Sequence, residues 1–225
     1  MNKVFIETYG CQMNVYDSEL VISILQKEGW QLCDSIESAD MILVNTCSIR
    51  DNAEQRVWGR LDHFLQQKRK RGELIVGVLG CMAERVKEKL LEHPVVNIVA
   101  GPDTYRKLPE MIRDLQSEPK QMDIRLSRHE TYADITPVRT DKNGASAFIS
   151  IMRGCNNMCT YCIVPYVRGS ERSRDPHSIV KEARDLFESG YREVNLLGQN
   201  VDSYLWVDPE NPTETTDFAQ LIELV

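Results

Sequence analysis

Six of the seven cysteines in this 225-residue chain fall into two groups of three, and the groups differ in construction. Cys155, Cys159 and Cys162 form a compact C-x-x-x-C-x-x-C run. Cys11, Cys47 and Cys81 are far apart, but each stands where an apolar run gives way to a helical pattern. Three thiolates can hold three corners of a cubane iron–sulfur cluster and leave one iron without a protein ligand. The competing reading of the compact group is structural zinc, which prefers four closed ligands. No fourth cysteine lies nearby, and the nearest histidine, His177, falls in the first turn of a predicted helix. The competing reading of the dispersed group is three core thiols, since free cysteine is often a small buried residue. A cluster-type group on the same chain shifts the dispersed one towards iron ligation.

An open iron has a use. S-adenosylmethionine can chelate it through its amino and carboxylate groups, and one electron then cleaves a carbon–sulfur bond to give a 5′-deoxyadenosyl radical. The compact group follows a predicted strand, as catalytic loops do at the C-terminal edge of a βα barrel. Tyr161, just before Cys162, is placed either to stack on the adenine or to cover the cluster.

The elements that must position these residues alternate strand and helix. Apolar runs at 4–6, 41–44, 74–79 and 95–99 read as strands. The first three lead into Cys11, Cys47 and Cys81, and each is followed by a helical repeat, the second opening on a capping box of Asp51 and Glu54. This pattern predicts a mostly parallel sheet covered by helices on both faces. The turns after parallel strands share one edge of the sheet, so thiols separated by tens of residues can meet there. The cluster's negative charge also suits helix N-termini. Residues 117–144 are polar and aperiodic and read as a linker between a first domain, 1–116, and a second, 145–225. In the second, residues 147–151 read as a strand leading to the compact group, Asp175 and Pro176 as a helix start, and 193–197 as the next strand. The chain stops within an apolar helical pattern at 219–225, so the second domain is expected to continue in a longer protein.

The formal net charge of −7 argues against a dedicated nucleic-acid-binding domain. Two local basic sets are candidate RNA contacts: Lys68 to Arg71, and Arg168, Arg172 and Arg174. The first also fits a solvated helix end. No run is long and apolar enough to span a membrane, and the N-terminus lacks the core of a secretory signal. A reducing cytoplasm is expected, where spaced cysteines mean metal or catalysis rather than disulfides.

Residues 153–166, with Arg168, Gly169, Ser173 and Arg174, resemble the methylthiotransferase branch of the radical S-adenosylmethionine superfamily. The run 196–201 after the following strand resembles it too. Residues 8–14, 17–19, 45–47 and 80–85 are similar to the N-terminal domain of that family. The resemblance implies an α/β domain followed by the start of a partial (βα) barrel. It implies two [4Fe–4S] clusters: an auxiliary one on Cys11, Cys47 and Cys81, and a radical-generating one on Cys155, Cys159 and Cys162. It places S-adenosylmethionine near Tyr161 and Gln199, and an RNA-binding domain beyond the present C-terminus. The implied reaction inserts a methylthio group at C2 of N6-dimethylallyladenosine 37 of tRNA. One S-adenosylmethionine methylates sulfur at the auxiliary cluster, and a second supplies the radical that takes hydrogen from C2. The implied partners are a tRNA anticodon stem-loop carrying dimethylallyladenosine and a flavodoxin- or ferredoxin-like electron donor; a monomer without a membrane anchor is expected. Relatives within the family modify a ribosomal-protein aspartate or threonylcarbamoyladenosine in tRNA, and a non-catalytic iron–sulfur carrier or sensor is the alternative of another class. Asn14, Arg50 and Asn200 are further candidates for the site, although capping and turn roles suit them as well. Cys33 reads as a structural thiol, and His63, His93, His129 and His177 follow no ligand spacing.

Overall fold

The computed structural model describes residues 2–47, 51–140 and 144–225, the side chains of 51–53 excepted. Arg50 and the expected Asp51 cap therefore lie outside the described residues. The chain divides into two compact units, 1–126 and 127–225.

In the first unit the strands are β1 (Lys3–Thr8), β2 (Gln31–Leu32), β3 (Met41–Thr46), β4 (Ile75–Gly80), β5 (Ile98–Ala100) and β6 (Gln121–Asp123). The helices are α1 (Gln12–Lys27), α2 (Asp51–Arg71), α3 (Cys81–Val86), α4 (Glu88–Glu92) and α5 (Leu108–Asp114). The strands form one sheet in the order β2-β1-β3-β4-β5-β6, and every pairing is parallel. All residues of β3 are buried, as its unbroken apolar run requires for a central strand covered on both faces. Val57, Leu61 and Phe64 of α2 pack with Ile42, Val44, Val76 and Val78 in one core. The register pairs Thr8 with Asn45 and Thr46 with Gly80, which aligns the C-terminal ends of β1, β3 and β4.

Two local departures have physical causes. The helical pattern across 81–91 is broken at Lys87, whose φ of 54° ends α3 before α4 begins. The stretch 117–144 is not featureless: β6 adds a sixth strand, and the division between the units falls inside it. A three-residue edge strand with Met122 as its one apolar residue carries no periodicity to read. Further on, Tyr132 and Ile135 are buried within the second unit.

In that unit, β7 (Ser146–Ser150) and β10 (Glu193–Leu197) pair in parallel, and α7 (Pro176–Glu188) lies between them in sequence. Before α7 come β8 (Met152–Arg153), α6 (Val164–Arg168) and β9 (Arg172–Ser173), with β8 and β9 antiparallel. After β10 come the antiparallel pair β11 (Leu205–Val207) and β12 (Thr215–Asp217), then α8 (Phe218–Leu224). Asp175 caps α7 by accepting from the Ser178 N–H at 2.8 Å, and Pro176 opens its first turn. Ile149, Ile151, Ile179, Leu186 and Leu221 make the core. Among the described residues, no helix is long and apolar enough to cross a membrane.

Candidate metal centres

The three dispersed cysteines stand on neighbouring strand ends. Cys11 is the N-cap of α1, Cys47 follows β3 directly, and Cys81 is the first residue of α3. Cys47 and Cys81 are buried, and Cys11 is half-buried. Two glycines with positive φ, Gly10 (129°) and Gly80 (87°), precede Cys11 and Cys81. Each turn is close enough to its neighbour that a side chain would not fit. A Cβ on Gly10 would overlap the Cβ of Cys47. One on Gly80 would overlap Asn45 Oδ1 and come within 2.8 Å of the Thr46 carbonyl and 3.3 Å of Asn14 Nδ2. Glycine is required here for both conformation and space.

Beneath the turns runs a buried polar network. The Cys11 thiol donates to Asn14 Oδ1 at 3.4 Å, and Asn14 Nδ2 donates to Asn45 Oδ1 at 3.1 Å. Asn45 Nδ2 donates to the Asn14 carbonyl at 2.9 Å and to Ser18 Oγ at 3.0 Å. Ser18 Oγ and Thr8 Oγ1 share a hydrogen bond of 2.7 Å. Asn14 and Asn45 have no solvent exposure, so these bonds cannot be exchanged for water without opening the core. The Cys11 turn is also tied to α2. Glu7 accepts from Arg60 Nε at 3.0 Å and from the Tyr9 hydroxyl at 2.7 Å. Burial, reinforced by Glu7, holds the Tyr9 hydroxyl protonated above its ordinary range.

Glu84, on α3, is the second polar feature of this edge. Only 4% of it is exposed, and its Oε2 has no hydrogen-bond partner among the described residues. Its Oε1 lies 3.7 Å from Lys87 Nζ. Burial, with smaller contributions from the Asp103 and Asp123 carboxylates, pushes its pKa up to about 7, which Lys87 opposes.

In the second unit, Cys155 is buried, Cys162 half-buried and Cys159 exposed. The loop is pinned at its root, where the Cys155 N–H donates to the Gly169 carbonyl at 3.1 Å. Gly154, at φ 71°, has no room for a Cβ, which would lie 2.6 Å from that carbonyl. The Asn157 N–H donates to Cys155 Sγ at 3.4 Å. Tyr161 is 93% exposed beside Cys162. Gln199 is half-buried just beyond β10. Its neighbour Gly198 is close to Met152, since a Cβ there would lie 2.5 Å from Met152 Cγ. With Leu197 opposite Ser150, Gln199 shares a strand-end edge with the root of the cysteine loop. Asn200 lies in the same turn and accepts from Ser203 Oγ at 2.8 Å through its carbonyl, a turn role.

The donor chemistry of both places fits iron: thiols at strand-end turns, with Cys47, Cys81 and Cys155 buried. Among the described residues, no group of three His, Cys, Asp or Glu side chains, either cysteine triplet included, is closed around one metal-ion position.

One sequence expectation is overturned. Arg168, Arg172 and Arg174 are no surface for RNA; they are 2%, 6% and 2% exposed. Arg172 donates to the Ser127 and Arg168 carbonyls, and Arg174 pairs with Glu182. Of the other basic set, Lys68 donates to Asn97 Oδ1 at 2.8 Å, and Arg71 to the carbonyls of Ile36 and Ala39. This set ends α2, a helix of 21 residues and thus about 30 Å, far from the Cys47 end. Cys33 is half-buried and donates weakly to the Val4 carbonyl at 3.4 Å. His93 meets Asp62 at 3.2 Å, and His63 and His177 sit against Phe64 and Trp206.

Comparison with known proteins adds independent findings. Residues 3–101 match the uncharacterized protein family UPF0004, and 149–223 match the radical SAM superfamily. The chain is 57% identical to a tRNA-2-methylthio-N(6)-dimethylallyladenosine synthase of Amoebophilus asiaticus, over 99% of this chain and 48% of the relative. Synthases of the same name from Bacteroides fragilis and Christiangramia forsetii are each 54% identical over 99% of this chain, and 48% and 49% of their own lengths. The chain spans about half the length of the curated relatives it matches. Its fold resembles the radical S-adenosylmethionine methyltransferase TsrM of Kitasatospora setae (TM-score 0.57, 12% identity, 89% of this chain and 48% of that one).

Proposed function

We propose that this chain, a member of the radical S-adenosylmethionine methylthiotransferase family, carries the cluster-binding residues of an enzyme that places a methylthio group on C2 of dimethylallyladenosine in tRNA. The observation that carries this reading is the gathering of Cys11, Cys47 and Cys81 on adjacent strand ends, in a chain that holds a second thiol triplet on one loop. The dispersed triplet would ligate an auxiliary [4Fe–4S] cluster and the compact triplet a radical-generating one. When bound, the clusters and S-adenosylmethionine supply the radical and the activated sulfur.

The chain's own residues do the rest. Gly10 and Gly80 let three thiol-bearing turns approach. Asn14 and Asn45, both fully buried, tie those turns together. On the compact loop, exposed Cys159 and Tyr161 face solvent, where a cofactor can enter, while Cys155 and the Gly169 carbonyl anchor the root. Gln199, two residues beyond Leu197 at the same strand-end edge, would contact the cofactor. The tRNA anticodon stem-loop, a small electron-transfer protein, a monomeric state and a cytoplasmic setting belong to the same reading. The aspartate and threonylcarbamoyl substrates have less support, because the relatives matched at 52–57% identity bear the dimethylallyladenosine name.

The test is anaerobic reconstitution of the complete protein with iron and sulfide, followed by assay on dimethylallylated anticodon RNA. About eight irons per chain are expected, with 5′-deoxyadenosine and a 2-methylthio product. Formation of 5′-deoxyadenosine without that product would refute the substrate, and stoichiometric zinc in place of iron would refute the chemistry.

A further inference from the structure

We propose that residues 127–139 form a strap that positions the compact cysteine loop, and that Tyr132 is the positioning residue through which it acts. The inference rests on the reading of Cys155, Cys159 and Cys162 as ligands of the radical-generating cluster. It goes beyond that reading by giving the segment between the domains a part in the site.

The stretch 127–139 contains no helix or strand, yet it is packed into the second unit. Tyr132 has no solvent exposure, and its φ of 59° is a strained conformation for a bulky side chain. Short-range bonds hold it there. Its N–H donates to Glu130 Oε1 at 2.7 Å, and its carbonyl accepts from the Ile135 N–H at 3.1 Å. The strained backbone places the ring under a cation: Arg153 Cζ lies 4.9 Å from the ring centroid. Arg153 is only 1% exposed, so its charge rests on a π face instead of on water.

Arg153 belongs to the ribbon from which the cysteine loop springs. β8 and β9 flank the loop, and Arg153 stands opposite Arg172, which puts both side chains on one face. Both reach the strap, Arg153 at the Tyr132 ring and Arg172 at the Ser127 carbonyl. Arg174, just past β9, donates to the Ala133 carbonyl at 3.5 Å and, through its backbone N–H, to the Ile151 carbonyl at 2.9 Å. At the end of the strap, Arg139 donates to the Phe148 carbonyl of β7 at 2.9 Å. A buried guanidinium is tolerated where acceptors or a ring replace its water, and the strap supplies both to the ribbon.

The consequence lies in Gly154 and Cys155, which follow Arg153 directly. Gly154 is packed against the Gly169 and Ser170 carbonyls, and the Cys155 N–H is bonded to the first of these. Cys155 is buried, whereas Cys162 is half-buried and Cys159 exposed. Cys155 is thus the fixed thiol of the loop, and its place follows from the ribbon end that Tyr132 holds through Arg153. A cluster on this loop takes its orientation from Cys155, and so does the iron that the cofactor chelates.

The test uses the complete protein with Cys11, Cys47 and Cys81 changed to Ala, so that only the compact triplet can assemble a cluster. This parent is reconstituted anaerobically to about four irons and reduced. S-adenosylmethionine is then titrated in while the electron paramagnetic resonance spectrum, which changes when the open iron is chelated, is followed. Tyr132→Ala removes the ring and keeps the strain. Tyr132→Gly removes both, and is expected to resist urea better than Tyr132→Ala. Both are expected to bind the full iron and to need about tenfold more S-adenosylmethionine, the scale of one desolvated cation–π contact. Tyr132→Phe, which keeps the ring, is expected to titrate like the parent. A merely structural role would make the titration follow stability, with Tyr132→Gly recovering relative to Tyr132→Ala. That result overturns the strap, as do unchanged titrations in both variants, and full iron content then leaves the cluster assignment standing. A parent that binds no iron, or that binds iron without responding to S-adenosylmethionine, overturns the cluster reading and the strap together. If Tyr132→Ala and Tyr132→Gly lose their native circular dichroism, Tyr132→Leu, which keeps apolar bulk without a π face, decides the question by the same titration.

Discussion

Glu84 makes the stability of the metal-free chain fall with rising pH. An ordinary carboxyl titrates at 4.5, and burial against Gly101 pushes this one to about 7. Its folded-state value is thus above its unfolded one. Between those values the native state binds the extra proton, so the protonated carboxyl's contribution is full below pH 4.5 and is lost as pH rises through about 7. At about 1.4 kcal/mol per pH unit, this gap, which already includes the opposing pull of Lys87, corresponds to about 3 kcal/mol. The perturbation is Glu84→Gln, which keeps size and polarity and removes the titration. Urea unfolding of the reduced chain would be followed by the emission of Trp30 and Trp58 in a Trp206→Phe background, which confines the signal to residues of the first unit. The wild type is expected to lose up to about 3 kcal/mol relative to Glu84→Gln between pH 5 and 8. This is roughly 1 M or more in urea midpoint. Parallel pH profiles of the two proteins would show that the carboxyl is solvated and the argument wrong.

Three further outcomes follow from named contacts. Gly80→Ala, which forces a Cβ at φ 87° onto Asn45 and the Thr46 carbonyl, should destabilise the first unit by about 2 kcal/mol. It should also reduce reconstituted iron from about eight to about four per chain, measured by colorimetric iron analysis. Glu182→Gln strips Arg139 and Arg174 of their shared buried carboxylate and should cost the second unit about 3–5 kcal/mol, read from Trp206 emission with the Trp30 and Trp58 signal unchanged. Cys33→Ser should leave iron content at its wild-type value and shift the urea midpoint by less than about 1 kcal/mol equivalent, since its thiol makes long, weak bonds to the Val4 and Ser35 carbonyls.

The strand-end positions of Cys11, Cys47 and Cys81 were legible because each follows an apolar run that reads as a strand, and parallel topology then dictates a common edge. The network under them was less visible. Asn45 and Thr46 close a strand whose every residue is buried, and a polar pair at the end of such a run is the signal that could have exposed it. Glu84 gave no such signal, for a glutamate three residues into a helix reads as solvent-facing until Gly101 and β6 are packed against it. The arginines at 168, 172 and 174 misled for a related reason. Arg172 finds Ser127 45 residues away and Arg174 finds Glu182 on the next helix, and only folded contact distinguishes a buried cation from an exposed one. The break at Lys87 and the edge strand β6 are local features too short for periodicity to resolve.

The distribution of the first triplet over three strands has a consequence for maturation. A loop such as 155–162 can gather metal while its surroundings are still unfolded, but Cys11, Cys47 and Cys81 do not exist as a site until β1, β3 and β4 have paired. On the proposed reading the sheet, with its apolar core, would form before the site does. On that reading, iron and sulfide would reach this site only after those three strands have paired.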